Sequence, residues 1–469
     1  MRKHPHASAS QGGYYNSLFA YVLFGGLLLA KILVYICGTP YSPGWTWLTL
    51  LDAIEACGWI ILIVDQHGSR IGPVLLLPPL LCTLYSAVPT ALLSLDLDIF
   101  PYQEEVIRRG MFMQSWMATL FWLSWRVAFS QKAGRDILDR TNRWLEQLTI
   151  TTSGGWLFIA AGCALAGSFF VNFFVSGAAQ LVGQATRLEA LNASETGKTW
   201  LIEIMFSVWL MVLALLLSGR QVRSSMRLIQ LPFVAIAIAL FLYPYMKLGN
   251  RNELSMCLAF ACLILCLRGR SLYILAVLAV TIPTFLYVGV TRGRSGDPGA
   301  DMTTLSFFLK LLGEFVFPHY PLLDHIGSRH DLWYGWSYVR LPAVIFPTFG
   351  LWNKQLSLAL QFAQEYGGAG GMGFAYTPLG EGFANFGIAS IAIVPFYLSA
   401  MGRALAARWV KAPLPFLVFV SISQNSARGE FVSVVQQIAI IVITLYLLLG
   451  LTRVRVRLSL HGGQRQVSG

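Results

Sequence analysis

FVSVVQQIAIIVITLYLLLG, residues 431–450, carries no charged side chain from one end to the other, and its strongest polar groups, Gln436 and Gln437, lie together near its start. Wound as a helix, a stretch of that length reaches about 30 Å, the thickness of a bilayer's hydrocarbon core. ARGE precedes it at 427–430 and RVRVR follows at 453–457. The stretch therefore reads as a membrane span ending in a basic tail.

The rest of the chain repeats the pattern. Of 469 residues, 56% are hydrophobic and 12% charged, far more apolar material than a soluble core of this size needs. Apolar windows of spanning length fall near 15–37, 43–65, 71–94, 112–130, 150–176, 200–218, 228–246, 253–267, 271–290, 384–402, 412–427 and 431–450. The fold class that follows is an all-α polytopic membrane protein with about twelve transmembrane helices. The first window follows the basic MRKHPHASAS and is too long for a signal-peptide core, so an uncleaved first span is expected.

The net charge of +12 does not indicate a nucleic-acid partner, because the basic residues lie between apolar runs rather than along one soluble face. Residues such as Lys132, Arg135, Arg140 and Arg143 instead mark inside loops, which places both termini in the cytoplasm. The chain then divides into an N-terminal bundle of about nine spans (1–290), a long outer loop (291–380), C-terminal transmembrane helices (381–452) and a basic cytoplasmic tail (453–469). Within the loop, TTLSFFLKLLGEFV (303–316) has helical apolar spacing and predicts an amphipathic helix lying on the membrane surface. WYGWSYVRLPAVIFPTFGLWNK (333–354) reads as an irregular interfacial segment, and YGGAGGMG (366–373) as a hinge. The 7 cysteines, odd in number and without CxxC spacing, indicate neither a disulfide framework nor a zinc site.

Arginines on the outer side run against the topological bias. Arg251 in LGNRNE, Arg292 and Arg294 in TRGRSG, and Arg428 in NSARGE all fall at expected outer boundaries. Planar, permanently charged guanidinium groups suit phosphate oxygens there, and a lipid diphosphate is the obvious anion. The alternative is that they snorkel to lipid headgroups or pair with Glu253 and Glu430.

Glu381 in GEGFANFG (380–387) and the loop histidines His319, His325 and His330 share that layer, and a carboxylate or imidazole can take a proton from a sugar hydroxyl. Glu381 could equally be an acidic residue stabilised at a helix N-terminus, worth about 0.3–1 kcal/mol. Asn385, four residues on, falls on the same helix face and could orient Glu381, bind a hydroxyl, or bond a neighbouring helix. Asp96 and Asp98 have D-x-D spacing that could hold a divalent metal, but read more simply as a solvated loop. Lys31, Asp52 and Glu55 fall at similar depth in the first two spans, as a structural ion pair would. No nucleotide cradle or hydrolase motif occurs, and no cofactor or metal is expected.

Four passages resemble the O-antigen polymerase family, the Wzy-like oligosaccharide repeat-unit polymerases of bacterial surface polysaccharide assembly. They are GNRNE, the G-x-S-Y segment with its proline and W-x-K run in YGWSYVRLPAVIFPTFGLWNK, TPLGEGFANFG, and ARGEFVSVVQQ, together spanning residues 249–437. Thr348 stands where an arginine often follows the proline, and Glu430 where aspartate is common.

The resemblance implies a multi-pass glycosyltransferase of the bacterial inner membrane. It would act at the periplasmic face in lipopolysaccharide biosynthesis, joining undecaprenyl-diphosphate-linked oligosaccharides, as donor and acceptor, into a long chain. It assigns the four arginines to the diphosphates, Glu381 to the acceptor hydroxyl, and Tyr334 with Asn385 to sugar contact or orientation. Partners implied are membrane lipids, a chain-length regulator and a flippase. The alternatives are an O-antigen ligase, which hands the chain to lipid A core, and a non-enzymatic transporter or flippase of the same lipid-linked sugar.

Overall fold

The computed structural model describes residues 22, 24–36, 42–175, 197–219, 228–248, 252–270, 274, 275, 279, 312–328, 331–341, 358, 361, 362, 375–407 and 413–452. Among them every regular element is a helix and none is a strand. Of the expected features, the 271–290 span falls almost wholly outside these residues, and the glycine-rich 366–373 run and the basic tail wholly so.

Helix α1 covers Phe24–Ile36 and α2 covers Ser42–Ser94. Unbroken, α2 would reach about 80 Å, far beyond one bilayer. Gly68 breaks it with φ 76° and ψ 172°, a conformation open in practice only to glycine. The two halves correspond to the expected spans 43–65 and 71–94. The second half contains Pro73, Pro78, Pro79 and Pro89. Pro79 has no N–H for the carbonyl of Leu75 four residues back, and the Trp125 indole supplies that donor at 2.8 Å.

Helix α3 (Glu104–Ala128) starts about two turns before the expected span. Its acidic first turn favours that start, and Glu105 pairs there with Arg108 and Arg109. Helix α4 (Gln131–Gln147) was not anticipated as an element: its basic residues read as an inside loop. Its buried Ala133, Ile137, Thr141, Trp144 and Leu145 recur at helical spacing and face the bundle.

Next come α5 (Thr152–Val175), α6 (Gly197–Ser218), α7 (Leu231–Leu248) and α8 (Asn252–Leu267). Helices α5 and α6 meet through the stacked rings of Phe158 and Trp209, 4.9 Å apart, and the Trp209 indole donates to the Phe158 carbonyl at 2.8 Å. After the expected outer loop begins, the chain forms α9 (Tyr320–Ser328) and the short α10 (Trp336–Val339). The remaining helices are α11 (Pro378–Phe386), α12 (Ser390–Leu405), α13 (Leu414–Ser421), α14 (Ser423–Arg428) and α15 (Phe431–Leu451).

Five helical runs are long and apolar enough to cross a membrane: Gly44–Ser94, Thr152–Val175, Leu201–Ser218, Pro378–Leu405 and Phe431–Leu451. The expected number of about twelve is not reached among the described residues. Phe24–Ile36, Leu231–Met246 and Glu253–Leu267 are apolar but short for a bilayer core. Helix α3 loses apolar character to Gln114, Ser115, Ser124 and Arg126.

One further expectation needs correction. The 412–427 window is not one helix: it breaks at Ile422, where the hydroxyls of Ser421 and Ser423 bond back to the carbonyls of Val418 and Val420. Of the expected amphipathic segment at 303–316, only 312–316 is described. Residues 312–316 are helical, and Val316 is fully buried in a second core with Tyr320, Leu323, Phe362 and Tyr376 against Trp45, Phe100 and Phe112.

Gly162 sets the approach of α5 to α6, since a Cβ there would lie 2.2 Å from the Trp209 ring, whereas one at Gly167 would meet nothing within 4 Å. Gly162→Ala should therefore cost about 1–3 kcal/mol by overpacking. The thermal midpoint of the purified protein in detergent should fall for Gly162→Ala and hold for Gly167→Ala; equal midpoints would contradict this packing.

Candidate functional site

The TPLGEGFANFG passage was expected to open a helix near residue 384. It opens earlier, at Pro378, because Thr377 is a working N-cap: its hydroxyl accepts the Gly380 N–H at 3.0 Å, and Pro378 occupies the first helical position, where a missing N–H costs nothing. Glu381 thus sits inside α11 and is fully buried. The helix ends at Gly387, whose φ of 59° lets the chain turn into α12.

The Glu381 carboxylate does not cap its own helix. Oε2 accepts the backbone N–H of Phe431 at 2.6 Å, and Oε1 accepts the Ser337 hydroxyl at 2.6 Å. Phe431 begins α15, so its N–H has no acceptor within that helix, and a carboxylate there also meets the positive end of the helix dipole. Asn385 Nδ2 donates to the Ser337 hydroxyl at 2.8 Å and to the Glu381 carbonyl at 2.7 Å. A donor chain therefore runs from Asn385 through Ser337 to Glu381. The buried Asn385 Oδ1 and Ser390 Oγ have no hydrogen-bond partner among the described residues.

Ser337 is brought in by a sharp turn. Tyr334 has φ 47° and Gly335 φ 86°, both left-handed, and the Trp333 N–H bonds the Ala384 carbonyl at 2.8 Å, docking the segment on α11. Tyr338 stacks on Phe386 at 5.8 Å and meets Phe431 and Tyr397 edge-on at 5.2 and 5.8 Å. Gly382 keeps α11 close to α12, since a Cβ there would lie 2.6 Å from Val394. Above this aromatic box Tyr334, 84% exposed, and Trp336, 61% exposed, are presented outward.

A second group lies beside α2. Arg428 pairs with Glu314, not with the expected Glu430. Glu430 instead accepts the Leu358 N–H at 2.8 Å and the Ser433 hydroxyl at 2.6 Å. His319 is fully buried, with Nε2 2.7 Å from the Tyr85 carbonyl, so that nitrogen carries the proton; Nδ1 has no partner among the described residues. His325 is half-buried, its Nε2 3.3 Å from the Tyr376 hydroxyl, edge-on to Trp333. Asp96 and Asp98 are exposed, and no cluster of three or more His, Cys, Asp or Glu side chains suited to a metal occurs among the described residues. Arg251, Arg292, Arg294 and His330 lie outside the described residues.

Of the candidates, Glu381 and Asn385 are brought together. Tyr334 stands at the rim, and Arg428 belongs to the helix that leads into Phe431. The sequence reading passed over Ser337, Tyr338, Tyr397 and the Phe431 amide. Ser337 and Tyr338 were visible inside the G-x-S-Y segment, but a backbone N–H has no sequence signature. No protein-family model, characterised protein or solved structure matches the chain.

Burial holds the His319 imidazole well below its ordinary 6.5, at about 4. The unfolded chain takes up that proton first, so the stabilisation is complete above about pH 6.5 and lost as pH falls toward about 4, by up to about 3 kcal/mol. His319→Gln, which can still donate to the Tyr85 carbonyl, should flatten this part of the pH–stability curve, measured as thermal midpoint. An unchanged slope would mean that His319 is not the group that titrates.

Proposed function

We propose that the chain is a glycosyltransferase of the bacterial inner membrane that polymerises undecaprenyl-diphosphate-linked oligosaccharide repeat units into O-antigen or a related surface polysaccharide. The observation that carries this reading is convergence. Three of the four passages that bear the polymerase resemblance, distant in sequence, contribute Ser337, Glu381 with Asn385, and the Phe431 amide to one hydrogen-bonded group. On this reading the protein has about twelve spans, both termini in the cytoplasm, and its working face in the periplasm.

The acceptor sugar's hydroxyl oxygen attacks the anomeric carbon of the donor. The C–O bond to the lipid diphosphate breaks, and the diphosphate departs with the electron pair. Glu381 takes the hydroxyl proton, directly or through Ser337, or else orients the hydroxyl while another base takes the proton. Asn385 Oδ1, lacking a donor among the described residues, is a ready acceptor for a sugar hydroxyl. Arg251, Arg292, Arg294 and Arg428 are assigned to the diphosphates, with phosphate displacing Glu314 from Arg428. Because Glu381 and Asn385 are buried beneath the 331–341 segment, substrate entry requires that segment to lift from α11.

Gene disruption tests the reading. Loss of a polymerase leaves a single repeat unit on lipopolysaccharide, loss of a ligase leaves none, and an intact long-chain ladder would remove both. Complementation with Glu381→Gln or Ser337→Ala should restore membrane protein but cut long chains at least about 100-fold, the scale of a lost base or its positioning group. Wild-type chain lengths in both variants would take Glu381 out of the site. Purified protein supplied with lipid-linked repeat units and a metal chelator, without nucleotide, should still form polymer.

A further inference from the structure

A second polar cluster lies apart from the Glu381 site, among α1, α2 and α3. Lys31, Asp52 and Glu55 have no exposed side-chain surface. The ammonium of Lys31 reaches Asp52 Oδ1 at 2.7 Å, Glu55 Oε2 at 2.6 Å and the Thr119 hydroxyl at 2.9 Å, so its three hydrogens are all engaged. Ser115 and Ser86 donate to the two Asp52 oxygens, each at 2.6 Å, and Thr119 donates to Glu55 Oε2 at 2.8 Å. Glu55 Oε1 is different: it has one long contact, 3.4 Å, to the Trp59 indole N–H.

From this geometry we infer that the cluster is a proton-binding site, and that the proton resides on Glu55 Oε1. Two carboxylates and one ammonium would leave one uncompensated negative charge in apolar surroundings, at a cost of several kcal/mol. One proton taken from solvent makes the cluster neutral. Asp52, with three short donors on two oxygens, is the carboxylate built to stay ionised. Glu55, with an oxygen short of donors, is the one built to be an acid.

Among the described residues, no further cation is ion-paired with or hydrogen-bonded to Asp52 or Glu55. Helix α2 adds the buried Cys82, and α3 adds Gln114, whose Nε2 points to the Cys82 sulfur while its buried Oε1 has no hydrogen-bond partner among the described residues. Arg126 lies over the Trp59 ring, 5.8 Å from its centroid. The Lys31 ammonium itself bridges the two carboxylates. The cluster also hangs on a turn of α2 shared with the other polar group: Ser86, which donates to Asp52, is the chain neighbour of Tyr85, whose carbonyl receives His319.

Infrared spectroscopy of the full-length purified protein at neutral pH tests this independently of any glycosyltransferase activity. The carbonyl band of a protonated carboxyl group should be present in the wild type, persist in Glu381→Gln and disappear in Glu55→Gln. Glutamine mimics a protonated acid, so Glu55→Gln should melt within about 2 °C of wild type, whereas Asp52→Asn should melt at least about 5 °C lower. Midpoints should agree in sodium, potassium and choline chloride. A band unaffected by Glu55→Gln, or a sodium-dependent midpoint, would overturn the proposal, the second in favour of a cation. Should Glu55→Gln fail to accumulate, Trp59→Phe decides: the band shifts if the proton is on Oε1 facing the indole, and an unmoved band refutes it.

Discussion

The first amide of α15 has no acceptor inside its own helix. Glu381 answers that requirement from another helix, accepting the Phe431 N–H on one oxygen and the Ser337 hydroxyl on the other. A single carboxylate thereby fixes the relative positions of α10, α11 and α15. The aromatic contacts of Tyr338 with Phe386, Tyr397 and Phe431 close around it. The interaction is both a structural pin and the chemical centre of the proposed site, and any substrate reaching Glu381 must compete with the helix it holds.

The same constraint recurs across the bundle. Arg140 donates to the carbonyls of Ala406 and Ala407 at the end of α12, and Arg268 donates through two nitrogens to the carbonyl of Ser218, the last residue of α6. Cationic side chains thus satisfy helix C-termini while a carboxylate satisfies an N-terminus, each with the sign the helix dipole favours. Trp125 performs the equivalent service for the carbonyl that Pro79 leaves without a donor. Arg140, which marks an inside loop in the sequence, is a helix cap as well.

What was legible in the sequence was what depends on local apolar runs. The break between the spans at 43–65 and 71–94 falls at Gly68, and Phe431–Leu451 coincides with the charge-free stretch that opened the reading. The cluster of Lys31 with Asp52 and Glu55 was anticipated from shared depth alone. Less legible were elements where polar residues serve the interior. Gln114, Ser115 and Thr119 lower the apolar character of α3 because they face buried partners, and α4 hides a buried stripe under a basic surface. The start of α11 is marked by Thr377 and Pro378, a capping signal that hydropathy does not register.

By itself the sequence determined the helical, membrane-type character of the chain, because burying backbone polar groups in apolar surroundings leaves helices as the economical solution and long apolar runs reveal where they form. It also brought Glu381 and Asn385 forward as a pair, because four residues is one helical turn. Only the tertiary structure decided what the carboxylate touches. Its partners, Ser337 and the Phe431 amide, lie 44 and 50 residues away, and one of them is a backbone group carried by every residue but proline. The choice between capping its own helix and capping another was settled by how α11 and α15 meet, a matter of packing that residue type and spacing do not encode.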